Sequence, residues 1–129
     1  DPYSDYGHLQ DEMLRAIRLV VDTGFHYKHW SRDQVVQFFH DHSAIDEVDV
    51  QNETDRYIVW PAQALGYKIG QLKILELRDR AKQALGNRFD IRGFHDEVLG
   101  AGSLPMDVLE ARIDAWIAAQ KAAAPKAAA

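Results

Sequence analysis

The chain has 129 residues, 47% apolar and 27% charged, with a formal net charge of −5 and no cysteine. The length suits one domain with a real core, and the composition is ordinary for a globular protein. Disulfides, thiolate metal sites and thiol nucleophiles are excluded. No apolar run approaches the ~20 residues of a membrane span, and the scattered basic residues leave no nucleic-acid footprint.

The first segment reads as helix, with Leu9, Met13, Ala16, Ile17, Val20 and Gly24 on one stripe. Gly24 is expected to stop or kink it. A second helix begins at Ser31, where Ser31-Arg32-Asp33-Gln34 fits the S-x-x-Q capping box. Its apolar residues are Val35, Val36, Phe38 and Phe39. Residues 40–55 are acidic and polar, without lysine or arginine; they predict a loop, then a helix from about Glu47 into Val59. Pro61 suits the first position of the next helix, Pro61 to Leu85. That helix starts apolar on two faces, Leu65, Ile69 and Leu72 against Tyr67 and Ile74, as for a helix sandwiched between neighbours. Gly66 and Gly70 are expected to permit close approach of another backbone, with Gly86 as a stop signal.

Asp90 caps a short helix, Ile91 to Leu99, ending at Gly100. Pro105 opens the last helix, striped with Leu109, Ile113, Trp116 and Ile117. There is no internal repeat and no credible strand. The expected fold is all-α: about six helices in a compact bundle over residues 1–121, followed by a low-complexity, disordered tail at 122–129. The start at Asp1, without an initiator methionine or a signal peptide, suggests a processed or truncated piece of something longer. Compartment stays open between cytoplasm and an exported location.

The histidines are the first candidates for chemistry. His26 and His29 are three apart, His40 and His42 flank Asp41, and His95 precedes Asp96 and Glu97. None has the HExxH spacing that puts two histidines and a glutamate at one metal. Surface or capping histidines are the preferred reading, and no metal site is assigned. A second grouping, Arg15, Arg18, Asp22 and His26, shares one face of the first helix if that helix passes Gly24. A solvated ion-pair ladder is the plain reading. The Arg-before-Asp order at i, i+4 is the less stabilising one, which leaves a cleft-facing array binding a substrate carboxylate as the alternative.

Three stretches together resemble one family: "EMLRAIRLVVDTGFHYKHW" (12–30), "DRYIVWPAQALGYKIGQLKILELR" (55–78) and "FDIRGFHDEVLGAGSLPMDVLEARIDAWI" (89–117). They resemble the C-terminal portion of bacterial domain-of-unknown-function family 885, itself similar to helical zinc metallopeptidases of the gluzincin kind. The resemblance runs from Asp1 to about Ile117. It implies a zinc peptidase whose HExxH-like motif and third-ligand glutamate lie upstream of the matched part. Zinc is thus implied for the intact family protein and not for this chain, which is expected to be inactive alone. By the same resemblance His26 and Tyr67 are candidate donors to a transition-state oxyanion. Arg56, with Arg18 and Asp22, is a candidate for binding a peptide substrate. The family usually reads Pro-Gly-Gln where this chain has Pro61-Ala62-Gln63, which implies an ordinary helical backbone at Ala62. The implied partner is the missing N-terminal catalytic part of the same protein, and a homodimer is the other expected way to cover apolar surface. A helical interaction or oligomerisation module without catalysis is the competing reading.

Overall fold

A computed structural model of the chain describes residues 1–123. The expected tail at 122–129 lies outside the described residues from 124 onward. The described residues form six α-helices and two short 3-10 turns, with no strand. The fold is all-α. The helices are α1 (Pro2–His26), α2 (Arg32–His42), α3 (Glu47–Val59), α4 (Gly66–Leu85), α5 (Ile91–Leu99) and α6 (Met106–Ala122). They divide into two compact units, Asp1–Ile69 and Gly70–Ala129.

In the first unit the expected capping box forms. Ser31 and Gln34 close the capping box, Ser31 N–H donating to Gln34 Oε1 at 2.8 Å and Gln34 N–H to Ser31 Oγ at 3.2 Å. Asp46 Oδ1 accepts from Val48 N–H at 2.8 Å and starts α3 at Glu47. The core is built from Ile17, Val21, Val35, Phe39, Val50, Tyr57 and Ala64. Each fully buried Val, Leu, Ile or Phe stabilises by about 1.5–3 kcal/mol relative to exposure. Phe39 and Tyr57 stack with ring centroids 6.4 Å apart. Thr54 is fully buried among them, and its hydroxyl has no hydrogen-bond partner among the described residues.

Several expectations need correction here. Gly24 does not end α1, which continues to His26. Its missing side chain instead lets Trp30 pack on the helix: a Cβ at Gly24 would lie 2.5 Å from Trp30 Cε3. The amide of Trp30 donates to Gly24 O at 2.9 Å, folding the chain back onto the helix end. The predicted stripe of α1 is only partly inward. Ile17 and Gly24 are buried, yet Leu9, Met13 and Val20 are exposed, and Val21, Arg18 and Asp22 take the buried positions.

The third correction is at Pro61. It does not start a helix. Residues 61 and 62 form a turn, Gln63–Leu65 a 3-10 turn, and α4 begins at Gly66. Ala62 sits at φ 65°, ψ −12°, the left-handed region that favours glycine. Glycine would adopt this backbone freely, and alanine satisfies it under strain. Gly66 and Gly70 admit no close neighbour: nothing lies within 4 Å of a Cβ built at either.

The second unit packs Leu77, Ala81, Leu85, Phe94, Leu109, Ile113 and Ile117. Phe94 meets Trp116 edge-on, centroids 6.3 Å apart. Asp90 caps α5, its Oδ1 accepting from Arg92 N–H at 3.0 Å. Arg80 joins α4 to α6 through Glu110 at 2.6 Å and Asp114 at 3.0 Å, and Lys73 adds Glu110 at 2.8 Å. Arg88 donates to three carbonyls at the end of α6, Gln120 at 3.2 Å, Lys121 at 3.4 Å and Ala123 at 3.4 Å. These are carbonyls a helix end leaves without intrahelical partners.

Candidate functional site

The polar face of α1 is the part of the first unit with chemistry to offer. Because α1 passes Gly24 unbroken, Arg15, Arg18, Asp22 and His26 do share one side of it. They are not a solvated ladder among themselves. Arg18 and Asp22 are buried and reach to other elements.

Glu53 on α3 is the hub. Its Oε2 accepts from Arg18 Nη2 at 2.8 Å and Arg18 Nε at 3.2 Å, and from the Tyr57 hydroxyl. Its Oε1 accepts from Arg56 Nη1 at 2.9 Å. Arg18 Nε also donates to the Tyr57 oxygen at 3.0 Å. Burial would raise the Glu53 carboxyl, but the Tyr57 hydroxyl, the hydrogen bonds and charge of Arg18, and the charge of Arg56 outweigh it and hold it below the ordinary value. Burial would likewise depress Arg18, and Glu53 with Tyr57 lifts it above its usual range instead. Tyr57 is raised well above an ordinary phenol, first by burial and then by donating to Glu53.

Asp22 accepts from a different source. The Ala62 amide donates to its Oδ1 at 3.1 Å and Oδ2 at 3.0 Å. The turn that follows α3 is thereby fastened to the middle of α1. Arg56 is held between Glu53 and Gln63 Oε1, the latter at 2.6 Å, with its guanidinium 5.9 Å from the Trp60 ring centroid. Tyr67, in the first turn of α4, lies beneath two cations: Arg15 is 5.2 Å and Arg18 5.6 Å from its ring centroid. Such contacts contribute about 0.5–2 kcal/mol each, depending on exposure. Tyr67 is 55% exposed, and its hydroxyl makes no hydrogen bond among the described residues. Next to it Lys68 pairs with Glu12 at 3.0 Å.

His26 stands apart. Its Nε2–H donates to the Tyr57 carbonyl at 2.7 Å. Arg18 to His26 is eight residues, roughly 12 Å along a helix rising 1.5 Å per residue, so His26 and the Arg18–Tyr67 pair occupy different levels of α1. The other histidines are also engaged or turned away. His29 lies in the turn beyond α1 at φ 57°, so the H-x2-H pair shares no helix face. His40 Nε2 meets Glu47 Oε2 at 2.7 Å, and His42 Nδ1–H donates to Phe38 O at 2.8 Å. Among the described residues no three His, Asp or Glu side chains are placed to hold a metal.

The sequence reading named Arg18, Asp22, His26, Arg56 and Tyr67 but missed the two residues that organise them, Glu53 and Tyr57. Their signal was present: Glu53, Arg56 and Tyr57 lie at i, i+3 and i+4, one face of α3. Nothing in side-chain chemistry could have pointed to the Ala62 amide, which is a backbone donor.

Comparison with known proteins adds lineage to this geometry. The model of the family described as "Bacterial protein of unknown function (DUF885)" matches residues 1–113. No curated protein matches the chain. A solved structure described as "the putative lipoprotein from Colwellia psychrerythraea" is 50% identical, with a TM-score of 0.90 over 92% of this chain. The chain spans 20% of that protein's length. No helix among the described residues is long and apolar enough to cross a membrane.

Proposed function

The chain belongs to the DUF885 family of bacterial proteins, and on that premise we propose that it is the C-terminal helical segment, residues 1–121, of a larger family domain. The parent protein is a zinc metallopeptidase of gluzincin type, and this segment supplies part of the wall of its peptide cleft. Alone it is catalytically incomplete.

The zinc ligands come from elsewhere in the parent. The histidines of this chain do not fit the metal, since a catalytic site needs three converging protein ligands and among the described residues no three His, Asp or Glu side chains converge. The contribution of this chain lies in its own donors. Tyr67 carries the proposal: an exposed phenol, free to donate, seated under the cations of Arg15 and Arg18 on two braced helices. A donor held in place before reaction stabilises an oxyanion forming on a peptide carbonyl without reorganising. His26 is the weaker candidate. With Nε2–H given to Tyr57 O, only Nδ1 is left to meet a substrate. Arg18 and Asp22 act as positioning residues, Arg18 for Tyr67 and the Glu53 hub, Asp22 for the Ala62 turn. Arg56 binds the substrate carboxylate through the face of its guanidinium left by Glu53 and Gln63.

The competing reading, a helical interaction module without catalysis, draws support from exposed apolar residues at the end of α3: Ile58, Val59 and Trp60. Two measurements separate the readings. The coding sequence upstream of Asp1 contains an HExxH-like motif followed by a glutamate helix in the first and a start codon at or just before Asp1 in the second. A peptidase assay of the family-length protein then gives turnover that Tyr67→Phe depresses, and full turnover in that variant rejects the role of Tyr67.

A further inference from the structure

Helix α1 is amphipathic throughout, but only its C-terminal half is covered. Ile17 and Val21 are buried, whereas Tyr6, Leu9 and Met13, spaced i, i+3, i+7, are 55%, 61% and 49% exposed. They form one wall of a cavity of about 220 Å³ whose other wall includes Ala44 and Ile45, in the loop between α2 and α3. Ile45 also packs against the core of the first unit, so the cavity floor is fixed. An apolar cavity of roughly 150 Å³ already accommodates a benzene ring, so this one has room for a large apolar side chain.

We infer that this groove seats an amphipathic helix from the remainder of the family-length protein, with an aliphatic or aromatic side chain filling the cavity and lysine or arginine flanking its apolar stripe. The inference rests on the reading of the chain as a segment of a larger domain, and it assigns the face on which the rest of that domain docks. Three observations select the occupant. In the Colwellia psychrerythraea structure, which matches 92% of this chain, four-fifths of the protein lies outside the matched part. The i, i+3, i+7 spacing presents a ridge suited to a facing helix. The first thirteen residues carry Asp1, Asp5, Asp11 and Glu12 and no lysine or arginine. At helical spacing Asp5 flanks the ridge, whereas Asp11 lies across the helix paired with Arg15 and Glu12 is paired with Lys68. Asp5 is therefore the charge that a basic-flanked helix would complement and that a second copy of α1 would set against itself.

The test compares this chain with the family-length protein. Met13 is oxidised by dilute peroxide at a rate that follows its exposure, so it should react about 10-fold more slowly in the longer protein than in the chain alone. Met13→Asp should leave the melting temperature of the chain alone within about 2 °C, as at an ordinary surface site, and lower that of the longer protein by more than that. Equal oxidation rates in the two proteins would overturn the docking face while leaving the segment reading intact. Protection of Met13 that grows with concentration in the chain alone would overturn it in favour of a second copy. A start codon at or just before Asp1, with no longer protein encoded, removes the segment reading itself.

Discussion

The amide of Ala62 donates to both carboxylate oxygens of Asp22, at 3.1 and 3.0 Å, across forty residues of chain. The bond forms with Ala62 in the left-handed region. A non-glycine residue there is strained by about 1–2 kcal/mol, and glycine adopts it freely at the cost of a more flexible unfolded chain. Ala62→Gly should therefore raise stability by about 1 kcal/mol in denaturant titration. Asp22→Ala should lower it by about 1–3 kcal/mol, because the amide loses its acceptor. Destabilisation by Ala62→Gly would mean that the turn is not left-handed in solution.

Thr54 tests the opposite defect. Its hydroxyl is buried without a partner among the described residues, and an unsatisfied buried polar group costs about 1–3 kcal/mol. Thr54→Val keeps the shape and removes the hydroxyl. The melting temperature should rise, and a clear fall would reveal a hydrogen bond at this site.

Gly24 gives a steric prediction. A methyl group there would meet Trp30 Cε3 at 2.5 Å, and overpacking of this kind costs about 1–3 kcal/mol. Gly24→Ala should destabilise the first unit and shift Trp30 fluorescence, despite the higher helix propensity of alanine. Were Gly24 a mid-helix glycine facing open space, the same substitution would be neutral or stabilising.

The Glu53 hub sets a pH dependence. Its folded-state carboxyl titrates below the ordinary 4.5. The unfolded chain therefore binds this proton first as pH falls, and stability intact above about 4.5 declines as pH drops through the folded-state value. Glu53→Gln should remove that part of the acid slope in melts between pH 6 and 3. Tyr57 acts at the other end: its raised phenol keeps stability intact below the ordinary 10.0 and loses it above. An acid slope identical in Glu53→Gln and the parent would show that other carboxylates carry it.

On the proposed peptidase reading, Tyr67→Phe in the family-length protein should lower turnover about 10²- to 10³-fold with the Michaelis constant little changed, since a donor acting on an oxyanion strengthens only as charge develops. Tyr67 is more than half exposed, and its hydroxyl is unbonded among the described residues, so stability should hold. Arg56→Ala should raise the Michaelis constant if its guanidinium meets substrate. A fall in stability alone, with activity tracking the folded fraction, would assign Arg56 to its contacts with Glu53 and Gln63.

Much of the fold was legible because its signals are local. The Ser31–Gln34 box, the Asp90 cap and the turn before Met106 each act within a few residues. The misreadings arise where a distant partner decides. Gly24 looks like a stop until Trp30 lies on it. Pro61 looks like a helix start, but the chain there is turned into Ala62, whose amide is held by Asp22. The stripe on α1 was displaced because Arg18 and Asp22, polar by composition, are drawn inward by Glu53 and the Ala62 turn. Of the candidate site, the face of α1 was readable from spacing, while its organiser, Glu53, sat in a stretch that looked merely acidic.

Each core has its own tryptophan neighbour: Trp30 packs against the first and Trp116 against the second, while Trp60 is mostly in solvent. Replacing Trp60 and one of the others leaves a single emitting indole whose spectrum follows one unit alone. Two such variants would read out, without any attached label, whether the units melt at one temperature or two.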